Sequence, residues 1–260
     1  MRPGGPVRYV LAGHGNTGRQ GKPANLNMSK PDQMPLQPGL NLSEGALGPQ
    51  VYKHLRDRII SGQITPGTRI SETEIARHYE VSRQPVREAF FRLADAGLVQ
   101  VLPQRGTLVR RISIRGVTDA RFVREAIEAD IARLVAEDPA PGTTERLADL
   151  IEQQAGVDGD AAAFIRLDEA FHHTLAQAAD KTFAWRIVEE VKGQMDRVRF
   201  LSTRYLPTER LVDQHRAVLA AIEARDPDAA SSAMRQHLRG VLSDLPEIAR
   251  QVPEFFEPEG

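Results

Sequence analysis

The sequence predicts a mainly α-helical protein in two parts, three short helices with a β-hairpin followed by a long all-helical region. Three observations carry this reading. Apolar residues recur at helical spacing through most of the chain after Gly48. β-rich runs flank a single turn near position 104. Charge is divided: residues 50–115 hold 12 Lys/Arg against 6 Asp/Glu, whereas the whole chain carries a net −1, so residues 116–260 are strongly acidic. A basic segment joined to an acidic one suits a protein of which only the first part meets a polyanion.

Residues 1–45 are rich in Gly, Pro, Asn and Gln without periodicity, and read as a flexible tail. The first helix runs from about Gly48 to Ser61, with Val51, Leu55, Ile59 and Ile60 as its apolar stripe, and Gly62 ends it. Ile64–Ile70 contains a Pro-Gly turn leading into a short extended piece. Ser71 with Glu74 has the spacing of a capping box and starts a short second helix ending near Glu80. Ser82 caps a third helix, Arg83 to about Ala96, in which Pro85 is tolerated because it lies in the first turn, and Gly97 stops it. Leu98–Leu102 and Thr107–Arg111 form a hairpin around Pro103–Gly106. From Ile114 to about Arg250 the pattern is helical, punctuated at Pro139/Pro141, Gly156–Gly159, Pro207 and Pro227. The domain boundaries read as 46–113 and 114–252, with 253–260 a C-terminal tail.

Cysteine is absent, which excludes disulfides and thiolate metal ligands. No apolar run approaches the roughly 18–20 residues of a membrane span, and no secretory signal is evident, so the chain reads as cytoplasmic.

Helix, turn, helix and hairpin in this order make a winged helix-turn-helix. In the third helix Val86, Ala89, Phe90 and Leu93 follow i, i+3, i+4, i+7 and face a core. Arg83, Gln84 and Arg87 fall on the opposite face of its first turns. A recognition helix enters the major groove with its N-terminal residues leading, where Arg pairs with guanine and Gln with adenine. Ser82 offers a hydroxyl and a backbone N–H to phosphate, and Arg105-Gly106 at the hairpin tip reaches backbone or minor groove.

The run Ser71-Glu-Thr-Glu-Ile-Ala…Val81-Ser-Arg-Gln-Pro-Val-Arg-Glu-Ala-Phe-Phe-Arg-Leu…Gly97-Leu-Val…Arg105-Gly-Thr resembles the GntR family of bacterial transcription factors over about 65 residues. The resemblance implies that Ser82, Arg83, Gln84, Arg87 and Gly106 contact operator DNA. Two positions depart from the commoner pattern: Thr73 replaces a frequently basic residue, and Phe91 stands where polar or basic residues are usual.

In the acidic part, Asp168 and His172 are four apart and share one helix face, while His215 and His237 sit beside the apolar stripes of two further helices. A lone His on such a stripe is most often a satisfied core residue. Three imidazoles and a carboxylate together suit Zn²⁺, with Ni²⁺ or Mn²⁺ as alternatives. His173, about 100° around the helix from His172, reads as a neighbour only. Asp168-Glu-Ala-Phe-His172-His-Thr-Leu, then His215 and His237, resembles the FCD effector domain of FadR-type GntR regulators over residues 115–250. The resemblance implies an antiparallel bundle of six or seven helices around a divalent metal, whose coordination a small carboxylate effector completes. Arg124 and Arg199 are the candidate effector contacts, each with a competing reading as an ion-pair partner, Arg124 of Glu128.

The function expected is a homodimeric, ligand-responsive repressor of operator DNA. Two alternatives stay open: a regulator for which the metal itself is the signal, and a metal-dependent hydrolase. The second lacks a nucleophile motif and an evident general base.

Overall fold

The computed structural model describes residues 45–102 and 106–258. The tail expected at 1–45 lies outside the described residues except for Gly45, and so does the wing-tip candidate Arg105.

In the N-terminal head, α1 (Leu47–Ile60) buries Val51, Leu55 and Ile59 against α3 (Arg83–Asp95). From α3, Val86, Ala89, Phe90 and Leu93 are all buried, as their spacing requires. Each large apolar side chain so removed from water contributes about 1.5–3 kcal/mol. The short helix α2 (Glu72–His78) packs beside α3. Ser71 and Ser82 occupy the N-cap positions of α2 and α3, but neither side chain makes a capping hydrogen bond, so the predicted capping box is not formed.

The hairpin is β2 (Val99–Leu102) paired antiparallel with β3 (Gly106–Val109), Val99 opposite Val109 and Leu102 opposite Gly106. The extended piece before α2 is a third strand, β1 (Arg69–Ile70), so the sheet order is β1-β3-β2. Two residues are too few to announce a strand by alternation, and only the pairing with β3 reveals it.

Seven helices of the described residues follow: α4 (Ile114–Glu137), α5 (Thr143–Ala155), α6 (Ala161–Ala178), α7 (Thr182–Val191), α8 (Gly193–Tyr205), α9 (Glu209–Glu223) and α10 (Pro227–Gln251). Ser113, Asp160 and Asp226 cap α4, α6 and α10, each accepting a backbone N–H from three residues on. One apolar cluster, including Leu147, Phe164, Phe171, Trp185, Ile222 and Met234, fills the bundle. A second, with Val117, Met195, Val198, Leu245 and Ile248, lies toward the head.

The last described residues pack against the fold. A 3₁₀ turn at Pro253–Phe255 buries Phe255 and Phe256, each 5% exposed. Ile112 N donates to the Phe255 carbonyl at 2.7 Å, and Glu257 N donates to the Ile112 carbonyl at 2.9 Å. Two adjacent aromatics carried by a short polar terminus drive this packing against the head-to-bundle connection.

Helix α8 holds the head. Gln194 Nε2 donates to the Gly97 carbonyl at 2.5 Å, its Oε1 accepts from Ser113 N at 3.3 Å, and Arg197 Nη1 donates to the Arg110 carbonyl at 2.8 Å. Gly193 permits the approach, since a Cβ there would lie 3.2 Å from the Ala96 carbonyl oxygen and 3.3 Å from Leu98.

Candidate metal centre and nucleic-acid face

Asp168 and His172 project from α6, His215 from α9 and His237 from α10, all buried. One ligand atom from each lies within 4.8 Å of every other. His237 Nε2 is 3.1 Å from His172 Nε2 and 3.3 Å from His215 Nε2. Asp168 reaches the same point, with Oδ1 3.6 Å from His215 Nε2 and Oδ2 3.8 Å from His172 Nε2. His173 is outside the cluster and lies beside Trp185, ring centroids 5.8 Å apart.

The outer ring atoms decide what this cluster can hold. His172 Nδ1 lies 2.6 Å from Glu128 Oε2, His215 Nδ1 2.7 Å from Gln154 Oε1 and His237 Nδ1 3.2 Å from Gln214 Oε1. All three partners present an oxygen to Nδ1, which leaves the three Nε2 atoms facing inward as the ligating atoms. His237 Nε2 thus has two imidazole nitrogens at 3.1 and 3.3 Å, a crowding that a cation between them relieves. A cation bound by nitrogen at about 2.0–2.1 Å separates neighbouring ligand atoms by about 2.8–3.0 Å at right angles and about 3.3–3.4 Å at the tetrahedral angle, which brackets the observed spacing. The residues therefore fit a divalent metal of the borderline class, held by three nitrogens and one oxygen.

Electrostatics favour the neutral form of two of the three rings. Burial first, then the neighbouring His172, pushes the His215 pKa well below its ordinary value. His237 is depressed likewise, by burial and then by His215 and His172. Neutral imidazoles are the form that ligates. Burial alone would raise Glu128, but Arg124 and His172 outweigh it and hold this carboxylate ionised.

A narrow cavity adjoins the cluster, sharing Asp168 and His237 with it and lined further by Arg124, Arg199, Ser202 and Asp244. Both predicted effector arginines line it and both are ion-paired. Arg124 is bidentate on Glu128, at 2.5 and 3.2 Å, with Nη1 toward Met195 Sδ. Arg199 pairs with Asp168 and bonds Glu169 at 3.0 Å and Asp196 at 3.2 Å. Asp196 also pairs with Lys192 at 3.1 Å and with Arg56 of α1. An unbroken chain of charges thus runs from Asp168 through Arg199 and Asp196 to the head. Gln154, Gln214 and Asp196 do not stand out in the sequence, and Glu128 does so only as a partner for Arg124. Each is an ordinary polar residue on its helix, and only Glu128, at i+4 from Arg124, left a local trace.

On the head, Arg83, Gln84 and Arg87 are exposed on the outward face of α3, with Ser82 exposed at its start. Glu72 of α2 gathers the two arginines, Arg83 Nη2 at 3.0 Å and Arg87 Nη2 at 3.4 Å. Burial would raise the Glu72 pKa, but the hydrogen bonds from Arg87 and Arg83 hold it below its usual range. Gln84 Nε2 donates to Glu88 at 3.1 Å. Gly106 opens β3 at φ +85°, a conformation that suits glycine.

Residues 47–109 match the family described as bacterial regulatory proteins, gntR family, and residues 119–240 match the FCD domain. The HTH-type transcriptional repressor RspR of Escherichia coli K12 is 39% identical over 213 residues, covering 81% of this chain and 93% of RspR. The gluconate operon transcriptional repressor of Bacillus subtilis is 29% identical over 222 residues, covering 82% of this chain and 90% of the relative. Among solved structures, Escherichia coli McbR/YncC superposes with a TM-score of 0.67 at 20% identity, covering 80% of this chain and 99% of that one. A GntR transcriptional regulator from Rhodococcus sp. RHA1 gives 0.64 at 25%, covering 77% and 97%. These relatives are regulators and not enzymes, and the hydrolase alternative falls with them. With a match along both its parts, the chain belongs to the GntR family of bacterial transcriptional regulators, in the group that carries an FCD domain.

Proposed function

We propose that this protein is a homodimeric cytoplasmic repressor that binds near-palindromic operator DNA and is controlled by a small carboxylate bound beside a divalent metal. Asp168, His172, His215 and His237 would hold the metal, zinc first, with nickel or manganese as alternatives. Ser82, Arg83, Gln84, Arg87, Arg105 and Gly106 would contact the operator, and Arg124 and Arg199 the effector. The observation that carries the reading is the inward convergence of three imidazole Nε2 atoms on Asp168, joined through Arg199 to the helix that holds the head. No helix of the described residues is long and apolar enough to cross a membrane.

A metal in this cluster would supply the fixed positive charge that draws a carboxylate into the cavity. The chain's own residues then set the response. Arg199 divides its guanidinium among Asp168, Glu169 and Asp196. A carboxylate offered in the cavity competes for it bidentately. Asp196 must then rebalance between Lys192, Arg199 and Arg56, because a buried charge that loses its partner costs about 3–5 kcal/mol. That redistribution alters the hold of α8 on α1, and it is the differential contact that control of DNA affinity requires.

Selection from a randomised duplex library followed by gel-shift titration tests the DNA half. Arg83→Ala and Arg87→Ala should each weaken the selected duplex, and unchanged affinity and sequence preference in both would overturn it. Native mass spectrometry of the purified protein tests the sensor half by showing the ion and acid retained. Should DNA affinity follow metal content while no organic acid alters it, the metal itself is the signal.

A further inference from the structure

We propose that Phe91 is a specificity-determining residue that reads a thymine methyl group in the operator's major groove. The proposal rests on the reading above that α3 is the DNA-reading helix. Two phenylalanines stand side by side in α3 and meet opposite fates. Phe90 is 2% exposed in the head core, whereas Phe91 is 58% exposed. At about 100° per residue, Phe91 lies about 40° around the helix from Arg87 and about 20° from Gln84. It therefore shares the centre of the outward face with Gln84 and Arg87, two of the three α3 residues expected to read bases. A rise of about 1.5 Å per residue sets it about 6 Å beyond Arg87 along the axis. With α3 lying along the groove that is just under two base-pair steps of about 3.4 Å, which would set Phe91 against a pair next to those within reach of Arg87.

The chemistry of that position selects its target. Phenyl has no donor or acceptor for a base edge, and the one apolar group exposed in the major groove is the C5-methyl of thymine. Among its outward neighbours, Gln84 and Glu88 hydrogen-bond each other and Arg87 is held by Glu72, while Phe91 has no ring or cation stacked on it among the interactions of the described residues.

The test uses the full-length protein and a duplex selected from a randomised library, with each thymine replaced in turn by deoxyuridine, which removes only the methyl. Wild type should bind about 15-fold more weakly when one thymine in each half-site is replaced, about fourfold for each of the two methyl groups buried against an apolar surface. Phe91→Ala should bind the parent duplex more weakly and show no penalty for deoxyuridine at that position, while Phe91→Leu retains part of it. Equal deoxyuridine penalties in wild type and Phe91→Ala, or none at any position in wild type, overturn the proposal. A change of sedimentation behaviour in Phe91→Ala with base preference intact would assign the side chain to a contact with a second copy and overturn it too. Failure of the library to yield any enriched duplex rejects α3 as the reading helix, a result separable from the others.

Discussion

Replacing Gln154 by Leu removes the acceptor behind His215 while touching no proposed metal ligand. Gln154 is 1% exposed and its Oε1 lies 2.7 Å from His215 Nδ1. Leu fills a similar volume, so the packing cost is small. His215 is left with two choices. It keeps its proton on Nδ1, buried and unpaired at about 1–3 kcal/mol, or moves it to Nε2, where it points into the cluster and blocks ligation. Loss of such an outer partner weakens metal binding about 10- to 100-fold, or about 1.4–2.8 kcal/mol. At zinc held at about 100 times the wild-type Kd, binding stabilises the wild type by about 2.7 kcal/mol and the variant by about 0.4–1.4 kcal/mol. For a domain of this size that is a zinc-induced rise in Tm of about 5–11 °C against about 1–6 °C. Zinc titration in competition with a chelator gives the affinity directly. The single Trp185, whose ring is stacked 6.5 Å from His172, should report occupancy by fluorescence. A Gln154→Leu variant that binds zinc as tightly as wild type, while His215→Ala binds none, refutes the tautomer argument. Unchanged zinc binding in His215→Ala rejects the site.

Asp196→Asn should retain metal binding yet make DNA affinity insensitive to metal and acid, because it breaks the link from Arg199 to Arg56; gel-shift titrations with and without zinc decide it. The pH dependence of the chelated protein follows from His215 and His237, which burial keeps neutral in the fold. The unfolded chain takes up protons below about pH 6.5, so stability is full above that value and falls as pH drops, by at most about 1.4 kcal/mol per unit for each histidine. Urea midpoints at several pH values in chelator should show this loss, and zinc affinity should fall in the same direction as protons compete. Truncation after Val252 should lower Tm markedly and expose the Ile112 amide to hydrogen exchange, since Phe255 and Phe256 are buried and the Phe255 carbonyl accepts that amide. An unchanged exchange rate at Ile112 would show that the terminus does not hold this connection.

The residues that were legible in sequence are those whose chemistry repeats at short range. Val86, Ala89, Phe90 and Leu93 announce their buried face by helical spacing, and Gly97 and Pro227 announce helix ends, because both effects act within a turn or two. Asp168 and His172 could be placed on one face for the same reason. That His215 and His237 meet them was beyond periodicity and came from family resemblance. Their spacing along the chain carries no signal of a meeting between three helices.

Sequence alone therefore determined the order of elements, the outward face of α3 and the identity of the candidate ligands. Tertiary structure decided what surrounds them. It paired β1 with β3, folded Phe255 and Phe256 against Ile112, and set Glu128, Gln154 and Gln214 behind the histidines. It also brought Asp196 between Arg199 and Arg56, residues 140 positions apart across that last pair. Contacts of this kind depend on how helices cross and not on what any one helix repeats. Their physical reason is the need of every buried charge and polar atom for a partner, wherever along the chain that partner lies.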